Sequence, residues 1–355
     1  MKRFLSLLVL ICVVISALST LSGCKGAKSQ KAVKTAQFYE YFDTVSVVSV
    51  YKEVEDAEFD KVKTVLREEL DKYHKLFDIY YEYAGVNNLK TVNKKAGKSW
   101  VEVDRELVDF LIYCKETFTL TEGKTNIALG SVLKIWHNFR AQIEDGGTVS
   151  PPDGEELARA AEHTDLESLE IDSEGCRVYI SDPLLSLDVG AIGKGYATER
   201  IAEKLSRMGL DGYVLNIGGN IRTIGKKPDG SGWVTGITNP NKSSDKPFVA
   251  RITLGDTSIV TSGNYERYVT VDGVRYHHII DPDTLYPAEQ WSSVSVIVAD
   301  SALADCLSTA LFCMTYDEAT ELLEAVSIEL NKEISALFVD SEGEIFVFGD
   351  IDFVK

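Results

Sequence analysis

The chain has 355 residues, room for one large domain or two, and its 45% hydrophobic content supports a substantial buried core. A formal net charge of −18 excludes a broad nucleic-acid-binding surface and leaves only local basic pockets open.

Residues 1–23 read as a secretion signal. Lys2-Arg3 form the charged start, and Leu5 to Leu18 form an apolar stretch too short to span a bilayer comfortably. The segment ends in Leu21-Ser-Gly-Cys24, which resembles the lipobox of bacterial lipoproteins. That resemblance implies a lipid on Cys24 and a place on the extracytoplasmic face of a bacterial envelope membrane. An ordinary secretory peptide or an uncleaved anchor helix would also leave the domain outside. Residues 24–37 read as a polar tether and 38–355 as the folded domain. Of the six cysteines, Cys114, Cys176, Cys306 and Cys313 remain after the leader and the lipid site are set aside. Cys306 and Cys313 fall two helical turns apart, at ~10 Å, beyond disulfide reach. No spacing suggests zinc, so the four read as free, partly buried thiols.

Val45 to Tyr51 is dense in β-branched residues and predicts a strand. A helix follows over Asp56–Tyr73, with Phe59, Val62, Val65, Leu66 and Leu70 on one stripe. Asp104 to Leu120 repeats the helical period, and another apolar run ends at Trp136. Asp145 to Glu155 is a Gly- and Pro-rich surface loop leading to a helix, and Leu166 to Leu187 holds a pair of short strands turning at Ser173-Glu-Gly175. Helices and hairpin-like strands mix without strict βα alternation. The predicted class is therefore α+β, antiparallel or mixed sheets with helices packed on them.

The most informative stretch is Asp188-Val-Gly-Ala-Ile-Gly-Lys194-Gly, followed by a helical run and Tyr213-Val-Leu-Asn-Ile-Gly-Gly219-Asn220. A strand is expected over Leu184–Val189, then a glycine turn at Gly190, Gly193 and Gly195, then a helix stopping near Gly209. Such a turn can offer N–H groups and one Lys to a phosphate. It is neither a P-loop nor a dinucleotide fingerprint, because both glycine spacings are wrong. Phosphate contact and a plain tight turn both fit. Farther on, Asp305 and Thr309 sit four apart on a predicted helix over Ala302–Met314 and face the same way. A carboxylate with a hydroxyl suits Mg²⁺, and equally suits an N-terminal helix Asp with a Thr bonded back to the helix. His277-His278-Ile279-Ile-Asp281-Pro282 offers either an acid–base histidine or a histidine bonded at a strand end.

Taken together, Asp-x-Gly-Ala-Ile-Gly-Lys-Gly with Asn216-Ile-Gly-Gly-Asn220 resembles the signature of the ApbE family of FAD:protein FMN transferases. Trp233–Pro240, Thr261–Arg267, His278–Pro282 and Ala304–Thr309 match further blocks in order, so the resemblance spans about Tyr41 to Gly349. It implies an ApbE-like fold with a flavin cleft. It also implies FAD as substrate, Mg²⁺ as metal, and an acceptor protein carrying a target Thr or Ser. FMN would pass to that hydroxyl and AMP would leave. By position it implies Phe42 and Tyr80 beside the flavin, and Lys124, Thr125, Asn126, Asp188, Lys194 and Ile279 as further FAD contacts. Ala191, through its carbonyl, Asp305 and Thr309 would hold the metal, and His278 or a carboxylate would take the hydroxyl proton. In the family the resemblance points to, Asp is often found where this chain has Asn126 and Gly is common where it has Leu285. Rival readings with the same residues are a metal-dependent FAD pyrophosphatase and a lipoprotein that binds FAD without chemistry. A solute-binding lipoprotein fits the anchor but not the blocks.

Overall fold

In Ser46–Val50 every second residue is buried, the pattern of a strand covered on one face more than the other. The computed structural model describes residues 32–354. The leader, Cys24 and residues 25–31 of the tether lie outside the described residues. Strand β1 (Lys34–Phe38) pairs along its length with β2 (Ser46–Val50), Lys34 opposite Val50. The folded domain thus begins by residue 34, not 38. The polar alternation of Lys34-Thr-Ala-Gln reads as tether in sequence because β1 is a sheet edge, with Thr35 facing Ser49 across the pair at 3.1 Å.

The chain continues through α1 (Asp56–Phe77), α2 (Leu89–Lys94), β3 (Val101–Glu102), α3 (Arg105–Leu120), α4 (Gly130–Glu144) and α5 (Gly154–Ala161). It then forms β4 (Leu169–Asp172), β5 (Arg177–Ile180), α6 (Gly193–Arg207), β6 (Tyr213–Ile217) and β7 (Asn220–Ile224). β8 (Trp233–Thr238), β9 (Phe248–Leu254), β10 (Ser258–Gly263), β11 (Tyr268–Val271), β12 (Val274–His277) and β13 (Ser293–Val298) follow. The chain closes with α7 (Ser301–Phe312), α8 (Tyr316–Leu330), β14 (Ser335–Val339), β15 (Ile345–Phe348) and β16 (Phe353–Val354).

Among the described residues eight strands make one antiparallel sheet in the order β1-β2-β6-β7-β10-β13-β14-β15. Helices α6 and α7 cover one face, where Val260, Val294, Val296 and Val298 meet Leu303, Leu307 and Leu311. The small sheet β16-β9-β8 covers the other, with Ile252 and Leu254 against Ile259, Leu337 and Val339. The α+β class is what the mixed periodicity predicts. Helices α1 and α3 run where their apolar stripes place them, α1 four residues longer at its C-terminal end.

Helix α7 is apolar nearly all round and is buried accordingly, and Thr309 alone among its residues escapes full burial. It is locked to α6 by exchanged helix caps. Asp305 of α7 accepts the N–H of Gly195 at the start of α6 at 2.8 Å, and Glu199 of α6 accepts the N–H of Ser301 at the start of α7 at 2.7 Å. Each carboxylate satisfies an orphan N–H and faces the positive end of the neighbouring helix. The crossing is close enough that a Cβ on Gly195 would lie 2.3 Å from Cβ of Asp305 and 2.4 Å from the Ser301 carbonyl oxygen.

Two local expectations change. The stretch Leu184–Val189 starts in a turn and makes only one isolated bridge, Ser186 with Leu129, so it is no strand. Its backbone is held by the Asn93 side chain, which donates to the Leu187 carbonyl at 2.9 Å and accepts its N–H at 2.8 Å, and by Asp188 N–H donating to Ile127 at 2.8 Å. Alternating residues look alike whether the partner is a strand or a side chain. Gly193 and Gly195 are helical and serve packing against Phe77 and Asp305, so they are not a loop opened for a ligand.

Candidate functional site

Two groups of side chains meet at the start of α6, and Lys194 belongs to both. The first group is built on the cap just described. Asp305 Oδ2 takes the Gly195 N–H, and Lys194 Nζ stands 3.9 Å from the same oxygen. Burial pushes the Asp305 carboxyl above the usual carboxylate range, and Lys194 works against that shift. The hydroxyl of Thr309 does not return to the helix. That bond belongs to Ser308, which donates to the Asp305 carbonyl at 3.0 Å, while Thr309 faces Ser262 at 3.5 Å. Because Gly195 donates to Asp305, the carbonyl of Ala191 accepts no hydrogen bond among the described residues. A carboxylate with Oδ1 unspent, a hydroxyl at the only opening of α7 and a free carbonyl are hard oxygen donors of the kind Mg²⁺ takes alongside phosphate and water. Ala191, Asp305 and Thr309 therefore fit the metal by donor chemistry. No cluster of three His, Cys, Asp or Glu exists among the described residues.

The second group surrounds Asp188. Its Oδ1 accepts the Gly190 N–H at 2.9 Å, burial raises its carboxyl, and His137, Arg140 and Arg267 pull it back. Tyr80 is half exposed, its ring 5.6 Å from that of His137, and it feels Asp188, Asp43, Arg267 and Arg140. His278 lies among Arg267, Arg140 and Lys194. Burial first, then those charges, push it down to about 3, so it is a neutral imidazole at pH 7. Its Nδ1 is buried without a hydrogen-bond partner. His277 is different. Its Nε2 donates to the Ala288 carbonyl at 2.8 Å, its Nδ1 accepts the Ile279 N–H at 3.2 Å, and burial holds it down at about 4. The two neighbouring histidines thus divide into a bonded structural one and an unpartnered one.

Tyr80, Asp188, Lys194 and His278 come together as the sequence implies, beside the Ala191, Asp305 and Thr309 set. The remaining expected flavin contacts do other work. Lys124 is ion-paired to Asp281 at 3.3 Å and Asp283 at 2.6 Å and donates to the Cys313 carbonyl at 3.3 Å. Thr125 is buried and donates to the Cys306 carbonyl at 2.9 Å. Asn126 uses both ends of its amide, donating to the Thr164 carbonyl at 3.0 Å and accepting the Ala128 N–H at 2.8 Å. Ile279 is part of the core under α7. Phe42 sits edge-on to His74, 5.8 Å between ring centres, and its own N–H donates to His74 Nδ1 at 3.2 Å. The turn at Leu285 takes φ of +64°, the left-handed region that favours the glycine of relatives, and the Leu285 carbonyl is held by Trp136 Nε1 at 2.8 Å.

His137 and Arg140 are absent from the sequence reading. They lie one turn apart on α4 just past Trp136, and polar residues there look like a solvated face.

A model of the ApbE family matches residues 42–338. The FAD:protein FMN transferase of Klebsiella pneumoniae is 29% identical over 72% of this chain and 76% of its own length, and that of Treponema pallidum is 35% identical over 66% and 67%. Among solved structures, the ApbE protein of Thermotoga maritima superposes with a TM-score of 0.72 at 28% identity, covering 88% of this chain and 96% of that one. The flavin transferase ApbE from Vibrio cholerae shares the fold with a TM-score of 0.70 at 24% identity, covering 89% and 97%. The ordered sequence blocks, the antiparallel sheet capped by α6 and α7, and a family match across most of the described chain agree, and the chain belongs to the ApbE family.

Proposed function

We propose that this chain transfers FMN from FAD to a Thr or Ser hydroxyl of an acceptor protein and releases AMP. The observation that carries the reading is the Gly195–Asp305 contact of 2.8 Å, which joins the glycine segment to the acid–hydroxyl pair of α7 across 110 residues. Lys194 then faces both the metal-type donors and the neutral His278. In the reaction the acceptor oxygen forms a bond to the phosphorus on the flavin side. The phosphoric anhydride breaks, AMP carries off the electron pair, and the hydroxyl proton leaves to a base. Lys194 offers a compact charge to phosphate oxygens. His278 is the base in this reading. At about 3 it is a weak one; an anionic diphosphate would offset the part of the shift due to Arg267, Arg140 and Lys194, while the larger part, from burial, would stay. Ala191, Asp305 and Thr309 would hold Mg²⁺, which when bound supplies positive charge to the phosphate oxygens.

The chain incubated with FAD, Mg²⁺ and a candidate acceptor domain should give the acceptor the mass of one FMN with equal AMP. AMP with free FMN and no adduct would mean a pyrophosphatase, and unchanged FAD would mean binding alone. The lipobox-like Leu21-Ser-Gly-Cys24 supports attachment to the extracytoplasmic face of a bacterial envelope membrane. Cys24→Ala should then release the protein or leave it unprocessed on fractionation, and a variant as membrane-bound and as fully cleaved as the parent refutes the anchor.

A further inference from the structure

Helix α4 brings a cation to the site that the family blocks do not include. Arg140 is half-buried, and its Nη1 donates to the His277 carbonyl at 3.3 Å. No carboxylate among the described residues lies within ion-pair distance of it, although Glu144, one turn further along α4, attracts it. Arg267 likewise forms no ion pair there. Burying a guanidinium without a carboxylate is unfavourable unless something else supplies negative charge. Arg140, Arg267 and Lys194 all act on His278, and Asp188 is the acid that faces the two arginines from the glycine segment. In a chain of net charge −18, three cations gather here, and of them Lys194 alone has a carboxylate, Asp305 at 3.9 Å, within ion-pair distance among the described residues. His137, on the same face of α4, meets the ring of Tyr80 at 5.6 Å and closes the wall beside it.

We propose that Arg140 is a phosphate-binding residue for the diphosphate of FAD, acting with Lys194 and Arg267 to orient the anhydride next to His278. The flavin ring and ribityl chain are neutral, so the anionic part of the substrate is what this cluster selects. The guanidinium fork keeps N–H donors beyond the one spent on His277, which suits bidentate contact with phosphate oxygens. The same bond to the His277 carbonyl places Arg140 next to the residue that precedes His278, so binding and base positioning are coupled through one side chain. This inference rests on the FAD reading above.

The test is fluorescence titration of the full chain with FAD, FMN and riboflavin, comparing wild type, Arg140→Gln and Arg140→Lys. Loss of one charge-assisted contact should weaken FAD roughly ten- to a hundred-fold. FMN should lose less and riboflavin nothing, and Arg140→Lys should recover part of the FAD loss. An equal loss for all three ligands would show that Arg140 only tethers the His277 carbonyl and would overturn the proposal, as would no loss at all. If Arg140→Gln fails to fold, Arg140→Lys decides by the same criterion, a loss selective for phosphate against a loss that is unselective or absent. Wild type that binds riboflavin but gains nothing from the diphosphate would also refute it. Wild type that binds no flavin would instead remove the FAD reading, and this inference with it.

Discussion

The carboxylate of Asp305 has two jobs in this structure, and two substitutions separate them. One job is to cap α6 through the Gly195 N–H at 2.8 Å, and the other is to offer Oδ1 to a cation. Asp305→Ala removes both. It leaves a buried N–H unpaired and loses a charged hydrogen bond, a cost of about 1.5–3 kcal/mol. Asp305→Asn keeps an oxygen to accept the Gly195 N–H and removes a charge that burial already disfavours, so without metal it should stay within about 1 kcal/mol of the parent. Urea unfolding with and without Mg²⁺ reads both effects. Mg²⁺ at a hundred times its dissociation constant should stabilise the wild type by about 2.7 kcal/mol. Neither variant should show that increment. If Asp305→Ala is as stable as wild type, the cap is worth nothing and the account of the α6–α7 crossing fails. If Asp305→Asn keeps the full Mg²⁺ increment, the carboxylate is not a ligand.

Three further outcomes follow from the same geometry. Gly195→Ala places a methyl 2.3 Å from Cβ of Asp305, so α6 and α7 must separate, with a loss of about 1–3 kcal/mol in urea melts; an unchanged midpoint would refute the close crossing. Lys124→Met leaves Asp281 half-buried without its cation and should destabilise by about 1–3 kcal/mol while moving FAD and riboflavin affinities equally; a loss confined to FAD would return Lys124 to the substrate. His277 and His278 have folded values of about 4 and about 3, below the 6.5 of a free histidine, so the folded chain binds fewer protons than the unfolded one in that window. Their contribution is complete above pH 6.5 and is lost as pH falls toward the folded values, by at most about 1.4 kcal/mol per pH unit for each histidine. The raised carboxyls of Asp188, Glu199 and Asp305 act in the opposite sense, gaining stability as pH falls through their raised values, and so reduce the slope at its acid end. Urea melts of the ligand-free chain from neutral to mildly acid pH should show falling stability, with a shallower fall in His278→Ala. A flat profile in the parent would refute the buried neutral histidines.

Periodicity made α1, α3, α6 and α7 legible in sequence, because each carries an apolar stripe or an apolar surround that only a helix can bury. The Asp305–Thr309 pair was legible for the same reason, since helical spacing fixes which residues share a face. What periodicity cannot carry is the identity of a backbone partner. Leu184–Val189 alternates like a strand, yet its bonds go to Asn93 and Ile127, and β1 reads as a tether although it pairs with β2. Nor can it separate a polar residue facing solvent from one facing a cleft, and Arg140 and His137 were lost on that point. The resemblance also implied Lys124, Thr125 and Asn126 as flavin contacts, and periodicity says nothing of the partners these residues have in the fold. Those polar groups are occupied with the Asp281 turn, the Cys306 carbonyl and the Thr164 loop. Glu199 left no signal at all, because a glutamate on the polar side of an amphipathic helix is ordinary until α7 arrives to meet it.

The exchanged caps also set the order in which this protein can become competent. Gly195 and Asp305 are 110 residues apart, and β10 and β13 stand between β7 and the last strands in the sheet. Contacts so distant along the chain form late, after loop closure has been overcome many times. A chain emerging from synthesis holds the glycine segment with the start of α6 uncapped and Lys194 without Asp305. The Gly195–Asp305 cap cannot form until residues up to 305 have arrived. On the proposed FAD reading, a chain cut before α7 lacks Asp305 and Thr309 and should release no AMP from FAD.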